Sequence, residues 1–175
     1  MPLTPATEQD LQVVSIQLGR QARDIVAIAA RCSCGKPTVV QTLPRLGDGT
    51  PFPTTYYLTH PGATAALSRL EAAGLMAELQ DRLAVDQALA DAYQAAHQHY
   101  LADREKLEAT TGKVAEIEGI SAGGMPTRVK CLHALAAHSL AVGPGVNPIG
   151  DIALELCSWS PSKCVCSVAT DVINE

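Results

Sequence analysis

A chain of 175 residues with 47% apolar and 18% charged side chains can bury a core, which excludes a disordered protein. A formal net charge of -5 excludes binding to nucleic acid by general electrostatic attraction, so no nucleic-acid partner is expected. The dense apolar run "IVAIAA" is far too short to cross a bilayer and no leader pattern precedes it, so a cytoplasmic protein without a membrane partner is expected.

Aromatic residues make up only 3%, and alanine and leucine carry the apolar load, which favours packed helices. In chain order, "TEQDLQVVSIQLGR" (7–20) predicts a short helix ending near Leu18, with Gly19 as its stop. "DIVAIAARC" (24–32), "PTVVQTLP" (37–44) and "TTYYLT" (54–59) predict three strands of an antiparallel meander, the last two joined by the loop "RLGDGTPFP". "PGATAALSRLEAAG" predicts a helix with Pro61 in its first turn and Gly74 at its end. Residues 75–109 read as one long helix, or two with a bend. "TTGKVAEIEGISAGG" is a loop, and "MPTRVKCLHALAAHSLAV" (125–142) a last clear helix. In "GPGVNPIGD" the glycines and prolines predict a turn with no regular element. The expectation is an α+β fold: a small three-stranded sheet against a long helix and a C-terminal helix. The segment from "IALELC" (152 on) is expected to begin as a helix; one domain would cover 1–155, and a poorly ordered tail 156–175.

Six cysteines stand at 32, 34, 131, 157, 164 and 166, and in a reducing compartment they are thiols or ligands rather than disulfides. "RCSCGK" holds two of them, with Gly35 to turn the chain sharply. In a meander, the end of the first strand, the start of the second and the end of the third share one edge. Cys32 and Cys34 should therefore approach His60, which makes a Cys/His zinc site the leading expectation. Its fourth ligand is expected from the last helix, where Cys131 and His138 share one flank and His133 lies on the other. Cys131 and His138 are roughly 10 Å apart along such a helix, so they would not hold one ion together. Cys131 suits a closed structural site, and His133 or His138 an open catalytic one. The competing reading is a set of buried thiols with a hydrogen-bonded histidine. Cys164 and Cys166 repeat the spacing without a glycine turn and rank below the first pair.

Arg20, Arg23, Arg45, Arg128 and Lys130 flank loops or helix starts in an acidic chain. Amides near Gly123 and Gly124, with Arg45, Arg128 and Lys130, would suit an anionic small molecule, against the alternative of ordinary solvated ion pairs. Asp86, Tyr93, His97, Tyr100 and Arg104 share one face of the long helix, as a bundle seam with hydrogen-bonded tips or as a polar docking face. His99 falls off that face and should be exposed. Common nucleophile-elbow, phosphate-loop, zinc-protease and dinucleotide motifs are missing.

The stretches "RCSCGKPTVVQTLPRLGDGTPFPTTYYLTHP", "SRLEAAGLMAELQDRL", "AYQAAHQHYLADR" and "GGMPTRVKCLHALAAHSLAVGPGVNPIGD" resemble the domain of unknown function 501 family of high-GC Gram-positive bacteria. The resemblance covers most of 15–151 and implies no assigned activity. It implies that some relatives carry cysteine at the position of His60, one ligand type exchanged for another. It also implies genes near those of a septum-formation initiator and an exopolyphosphatase, hence division or phosphate metabolism by association only. Nothing carries over to Cys157, Cys164 or Cys166.

Three functions are therefore weighed. The first is a protein whose single zinc ion is held by Cys32, Cys34, His60 and Cys131. The second is a metal-assisted hydrolase of a phosphorylated or other anionic substrate, using His133 or His138 with Arg45 or Arg128. The third is a binding module for a division-related protein partner.

Overall fold

The computed structural model describes residues 3–163 and Cys166. Among them are six helices and one antiparallel sheet of four strands, in the order β1-β2-β3-β4, so the fold is α+β. The strands are β1 (Thr4–Pro5), β2 (Ile25–Arg31), β3 (Pro37–Thr42) and β4 (Tyr56–Leu58). β1 is the strand missing from the expected three. At two residues, one of them proline, it is too short for a periodic signal and fits only as an edge beside β2.

Every residue of β3 is buried, because the sheet is covered on both faces. On one face Val14 of α1 (Glu8–Leu18) packs on Ile28 and Val40, which are paired across the ladder. On the other, Val39 and Leu58 join the main core around α5 (Leu132–Val142). A register shift between Ile28 and Ala30 lets Ala29 and Ala30 both enter that core.

α1 begins at a capping box: Thr7 accepts from the Asp10 amide, and the Asp10 carboxylate accepts from the Thr7 amide. The same carboxylate takes both guanidinium nitrogens of Arg31, at 2.6 and 3.0 Å. Arg31 also donates to the Gly35 carbonyl at 3.0 Å. One buried carboxylate thus ties α1 to the end of β2 and to the turn that carries Cys32 and Cys34.

α2 (Pro61–Ala72) and α3 (Leu75–Val85) follow β4, with Gly74 in the left-handed conformation between them. The long segment is two helices rather than one. Asp86 ends α3 in extended conformation and caps α4 (Gln87–Thr111) by accepting from the Leu89 amide. Asp86 is therefore an exposed cap, not part of the seam. The rest of that stripe is buried, with its polar tips hydrogen-bonded. Tyr93 donates to the Arg128 carbonyl, and His97 bonds the Ser121 hydroxyl at 2.8 Å. The Tyr100 hydroxyl accepts from the Thr55 amide at 2.6 Å, and Arg104 donates to the carbonyls of Pro53 and Ile117. α4 is a rod whose polar tips fix the loops around it.

Two expectations in the C-terminal part are corrected. Residues 125–131 are not helical, and α5 starts only at Leu132 with Cys131 as its cap. "GPGVNPIGD" does contain a regular element, because α6 (Pro148–Leu156) begins there. Pro148 occupies the first helical position, where no amide partner is needed, and Asn147 caps the Gly150 amide. Gly150 lies against the Leu135 carbonyl and Ser139 hydroxyl of α5, where a side chain would collide. The expected boundary at 155 falls inside α6, and beyond it Trp159 is buried in the main core.

Tyr100→Phe removes the partner of the buried Thr55 amide and should cost about 1–3 kcal/mol, measured as a lower urea midpoint. Arg31 holds the Asp10 carboxyl down at about 2, against an ordinary 3.8. Its stabilisation is complete above the unfolded value and is lost as pH falls towards the folded one. Asp10→Asn should therefore cost about 1–2 kcal/mol at neutral pH and flatten the acid limb of the stability curve, read by denaturation at several pH values.

Candidate metal centre

The Cys32 turn is closed by its own backbone. The Cys32 amide donates to the Lys36 carbonyl at 2.9 Å and the Gly35 amide to the Cys32 carbonyl at 2.8 Å. Gly35 has φ 85°, a conformation that glycine adopts without penalty. Cys32 is buried and Cys34 exposed. β4 ends at Leu58, two residues before His60, which caps α2 at the same edge of the sheet. Antiparallel pairing of β3 with β2 and β4 does bring the turn and His60 together.

The remaining group arrives from the far end of the chain. The Ser33 amide donates to the Pro161 carbonyl at 2.9 Å, which stitches the C-terminal segment onto the cysteine turn. Trp159 lies against the His60 ring, with centroids 5.1 Å apart. Cys166 Sγ then sits 3.1 Å from His60 Nε2 and 3.5 Å from Cys34 Sγ. The ligand atoms of Cys32, His60 and Cys166 all lie within 4.8 Å of one another, a group that could hold a metal ion. Tetrahedral zinc sets S···N near ~3.6 Å and S···S near ~3.8 Å, from bonds of about 2.3 and 2.0–2.1 Å. The observed separations are within about half an ångström of both.

Burial, aided by nearby Lys36, lowers the pKa of His60 and keeps the ring neutral. Nδ1 accepts from the amides of Gly62 and Ala63, so the neutral ring carries its proton on Nε2, facing Cys166. A metal at Nε2 displaces that proton and must draw Nδ1 away from the two amides. Two expected ligands, Cys32 and His60, thus meet a cysteine ranked low from sequence, while Cys34 lies beside that cysteine but outside the three-residue group. The signal for Cys166 was the repeated C-x-C spacing, but the docking of Pro161 and Trp159 has no local pattern. Cys164 lies outside the described residues. Cys157 donates to the carbonyls of Leu154 and Trp159 as an ordinary thiol.

Cys131 and His133 fall in a second group, with Glu71. Because Cys131 precedes α5, the two are adjacent rather than on opposite flanks, with Sγ 3.9 Å from Nδ1. Glu71 Oε1 lies 3.1 Å from the same Nδ1 and accepts from the Leu132 amide at 2.7 Å. His133 Nε2 faces the Thr64 carbonyl at 3.1 Å. The same nitrogen meets the Ser68 hydroxyl at 3.1 Å, and the Glu71 carboxylate and Thr64 carbonyl, one at each ring nitrogen, favour the imidazolium. The hydrogen bond to Cys131, against burial and with the Glu71 charge, raises its pKa to about 9.

His138 belongs to a third group, with His99 and Asp103. Asn147 Oδ1 is committed to the Gly150 amide, so its amino group faces His138 Nδ1 at 3.2 Å. The His138 proton is therefore on Nε2, directed at His99 Nδ1 3.4 Å away. Burial, with the neighbouring His99, lowers its pKa to about 4. Its ring stacks on Tyr56 and meets Tyr100 edge-on. This is a neutral histidine built into the core, and His99 is only half-exposed because it partners it.

The helix start expected to bind an anion near Gly123 and Gly124 does not form. No helix starts at Pro126, and the amides of Arg128 and Lys130 already donate to the carbonyls of Gly124 and Gly123. Arg45 is paired with both oxygens of Glu116 at 2.7 Å, whereas Arg128 and Lys130 are exposed. Arg20 and Arg23 line a separate cleft of about 630 Å³ together with Asp24 and Asp48. Among the described residues, no helix is long and apolar enough to cross a membrane.

No curated protein and no solved structure matches the chain. Residues 28–155 match the family described as "Protein of unknown function (DUF501)", and the chain belongs to that family.

Proposed function

We propose that the protein binds one zinc ion through Cys32, Cys34, His60 and Cys166, and that the ion clamps the C-terminal segment to the edge of the sheet. The observation that carries this reading is the arrival of Cys166 3.1 Å from His60 Nε2, across 106 positions of sequence. Thiolates and an imidazole at these separations suit zinc better than calcium or magnesium, which take oxygen ligands. Four protein donors fill a tetrahedral shell and leave no position for a substrate, so the ion is structural rather than catalytic. The hydrolase reading has less support: His133 is engaged by Glu71 and Thr64, and His138 is packed in the core between Tyr56 and Tyr100.

The Cys34–Cys166 separation of 3.5 Å favours a second reading, a disulfide formed in an oxidising setting. Elemental analysis combined with a thiol count on protein purified under reducing conditions separates the two. The zinc reading expects about one zinc per chain, and Cys166→Ser should lower that stoichiometry and weaken binding by at least about tenfold. Protein that holds no zinc and melts at the same temperature with and without added zinc would falsify it.

Because thiols and His60 must lose protons to bind, zinc affinity should fall as pH falls. The depressed His60 pKa has the same sign for the metal-free fold. Stability is present above the ordinary histidine value of 6.5 and is lost as acid protonates the buried ring. Thermal melts with and without chelator across that range should show both limbs, and His60→Gln should flatten them.

A further inference from the structure

The Glu71–Cys131–His133 group stands apart from the zinc site and has a cavity of its own. The space, about 420 Å³, is lined by Tyr56, Tyr57 and Leu58 of β4 and by Thr64 and Ser68 of α2, with Cys131 and His133 in its wall. Among the described residues that line it, the only charges are those of the Cys131–His133 pair, which cancel. An uncharged ligand with an apolar body and a polar group for the hydroxyls fits such a lining.

Three features bear on Cys131. Its sulfur is half-buried at the start of α5, where the helix dipole favours an anion. His133, 3.9 Å away, is favoured as a cation by Glu71 at Nδ1 and the Thr64 carbonyl at Nε2, where the Ser68 hydroxyl also lies. Glu71 is itself fixed by the Leu132 amide, so the ring cannot turn away. This is the arrangement that activates a cysteine nucleophile: thiolate, imidazolium and a third group that orients the ring. A metal ion is a poorer occupant, since His133 is engaged by Glu71 and Thr64.

We propose that Cys131 is the nucleophile of a second site, which takes an acyl group from a small uncharged ester or thioester bound in this cavity. The sulfur of the Cys131 thiolate adds to the carbonyl carbon, and the carbonyl oxygen takes the electron pair. Collapse restores the carbonyl, keeps the new C–S bond and breaks the bond to the leaving oxygen or sulfur. The leaving group takes the Nδ1 proton of His133. Thiolate, imidazolium and ester thus become enzyme thioester, neutral histidine and alcohol, with atoms and charge balanced. Burial pushes the Cys131 thiol up, but the bond from His133, with the Ala134 amide, outweighs it and leaves the thiol below its ordinary value. The charged groups facing the sulfur are Glu71 from α2 and His133 from α5, and β4 contributes the neutral Tyr56 and Tyr57.

The test uses the full chain with 4-nitrophenyl acetate, following release of nitrophenol and mapping acetyl groups by peptide mass spectrometry. The site predicts one equivalent released in a burst, with acetyl on Cys131. Cys131→Ser should abolish the burst, and His133→Gln should slow it at least about tenfold. In the unsubstituted protein, iodoacetamide should label Cys131 with a pH midpoint below that of an ordinary thiol, whose rate gains roughly tenfold per unit below its pKa. Acetyl groups elsewhere, no burst, or a Cys131 labelling rate that climbs like an ordinary thiol would overturn the proposal. So would a rate that depends on added chelator, which would assign the group to a metal. Because the pH profile needs no variant, a variant that fails to fold does not remove the test. Loss of zinc from the other site does not touch these residues, so the two readings fail separately.

Discussion

The antiparallel pairing of β2, β3 and β4 is the constraint on which every site depends. It puts the β2–β3 turn and the end of β4 at one edge, and so delivers Cys32, Cys34 and His60 to the same place. It also presents the outer residues of β4 to α2 and α5, which makes the walls of the Cys131 cavity. The pairing is fixed from both faces, since the central strand is buried throughout. A slip by one residue would send Val39 towards α1 and Val40 towards α5, exchanging the two cores. The Asp10–Arg31 pair adds a lock at the end that matters, because Arg31 reaches on to the Gly35 carbonyl of the cysteine turn.

Five histidines in one chain show how little a residue type says without its partners. His138 is neutral because Asn147 offers it a donor and the core excludes water. His133 is favoured as a cation by a carboxylate and a carbonyl, one at each ring nitrogen. His60 is neutral with its proton turned towards sulfur, and His97 is lowered by burial and the nearby Arg104. These states follow from which groups face each ring nitrogen, not from sequence spacing.

The legible part of the molecule was what local pattern encodes. β-Branched runs marked β2 and β3, Gly19 marked the end of α1, and the meander joined Cys32, Cys34 and His60 before any geometry was known. The seam of α4 was legible too, as buried Tyr93 and Tyr100 with bonded tips. What escaped depended on contacts distant in sequence. The body of α6 was legible from Ile152, but its start was hidden because Pro148 and Gly150 read as breakers, although one suits a first helical turn and the other a close helix approach. Cys131 was misplaced by seven residues of helix that do not form, and that error also separated it from His133. Cys166 was underrated because its position is set by Trp159 and Pro161, whose docking no periodicity records.

That last group alters how the zinc site relates to its family. The family match ends at 155, so Cys32, Cys34 and His60 lie inside it, whereas Trp159, Pro161 and Cys166 lie beyond. Three donors on one sheet edge are an incomplete shell, and a tetrahedral ion would be left with an open position there. In this chain the C-terminal segment supplies the missing sulfur and lays a tryptophan against the histidine. As a fourth ligand after two thiolates and an imidazole, Cys166 would close the shell and convert a site able to activate water into one that only cross-links. Under the zinc reading, whether the ion holds a fold or does chemistry is decided by the segment beyond 155, outside the family match, and its removal is the change that would reopen the question of catalysis.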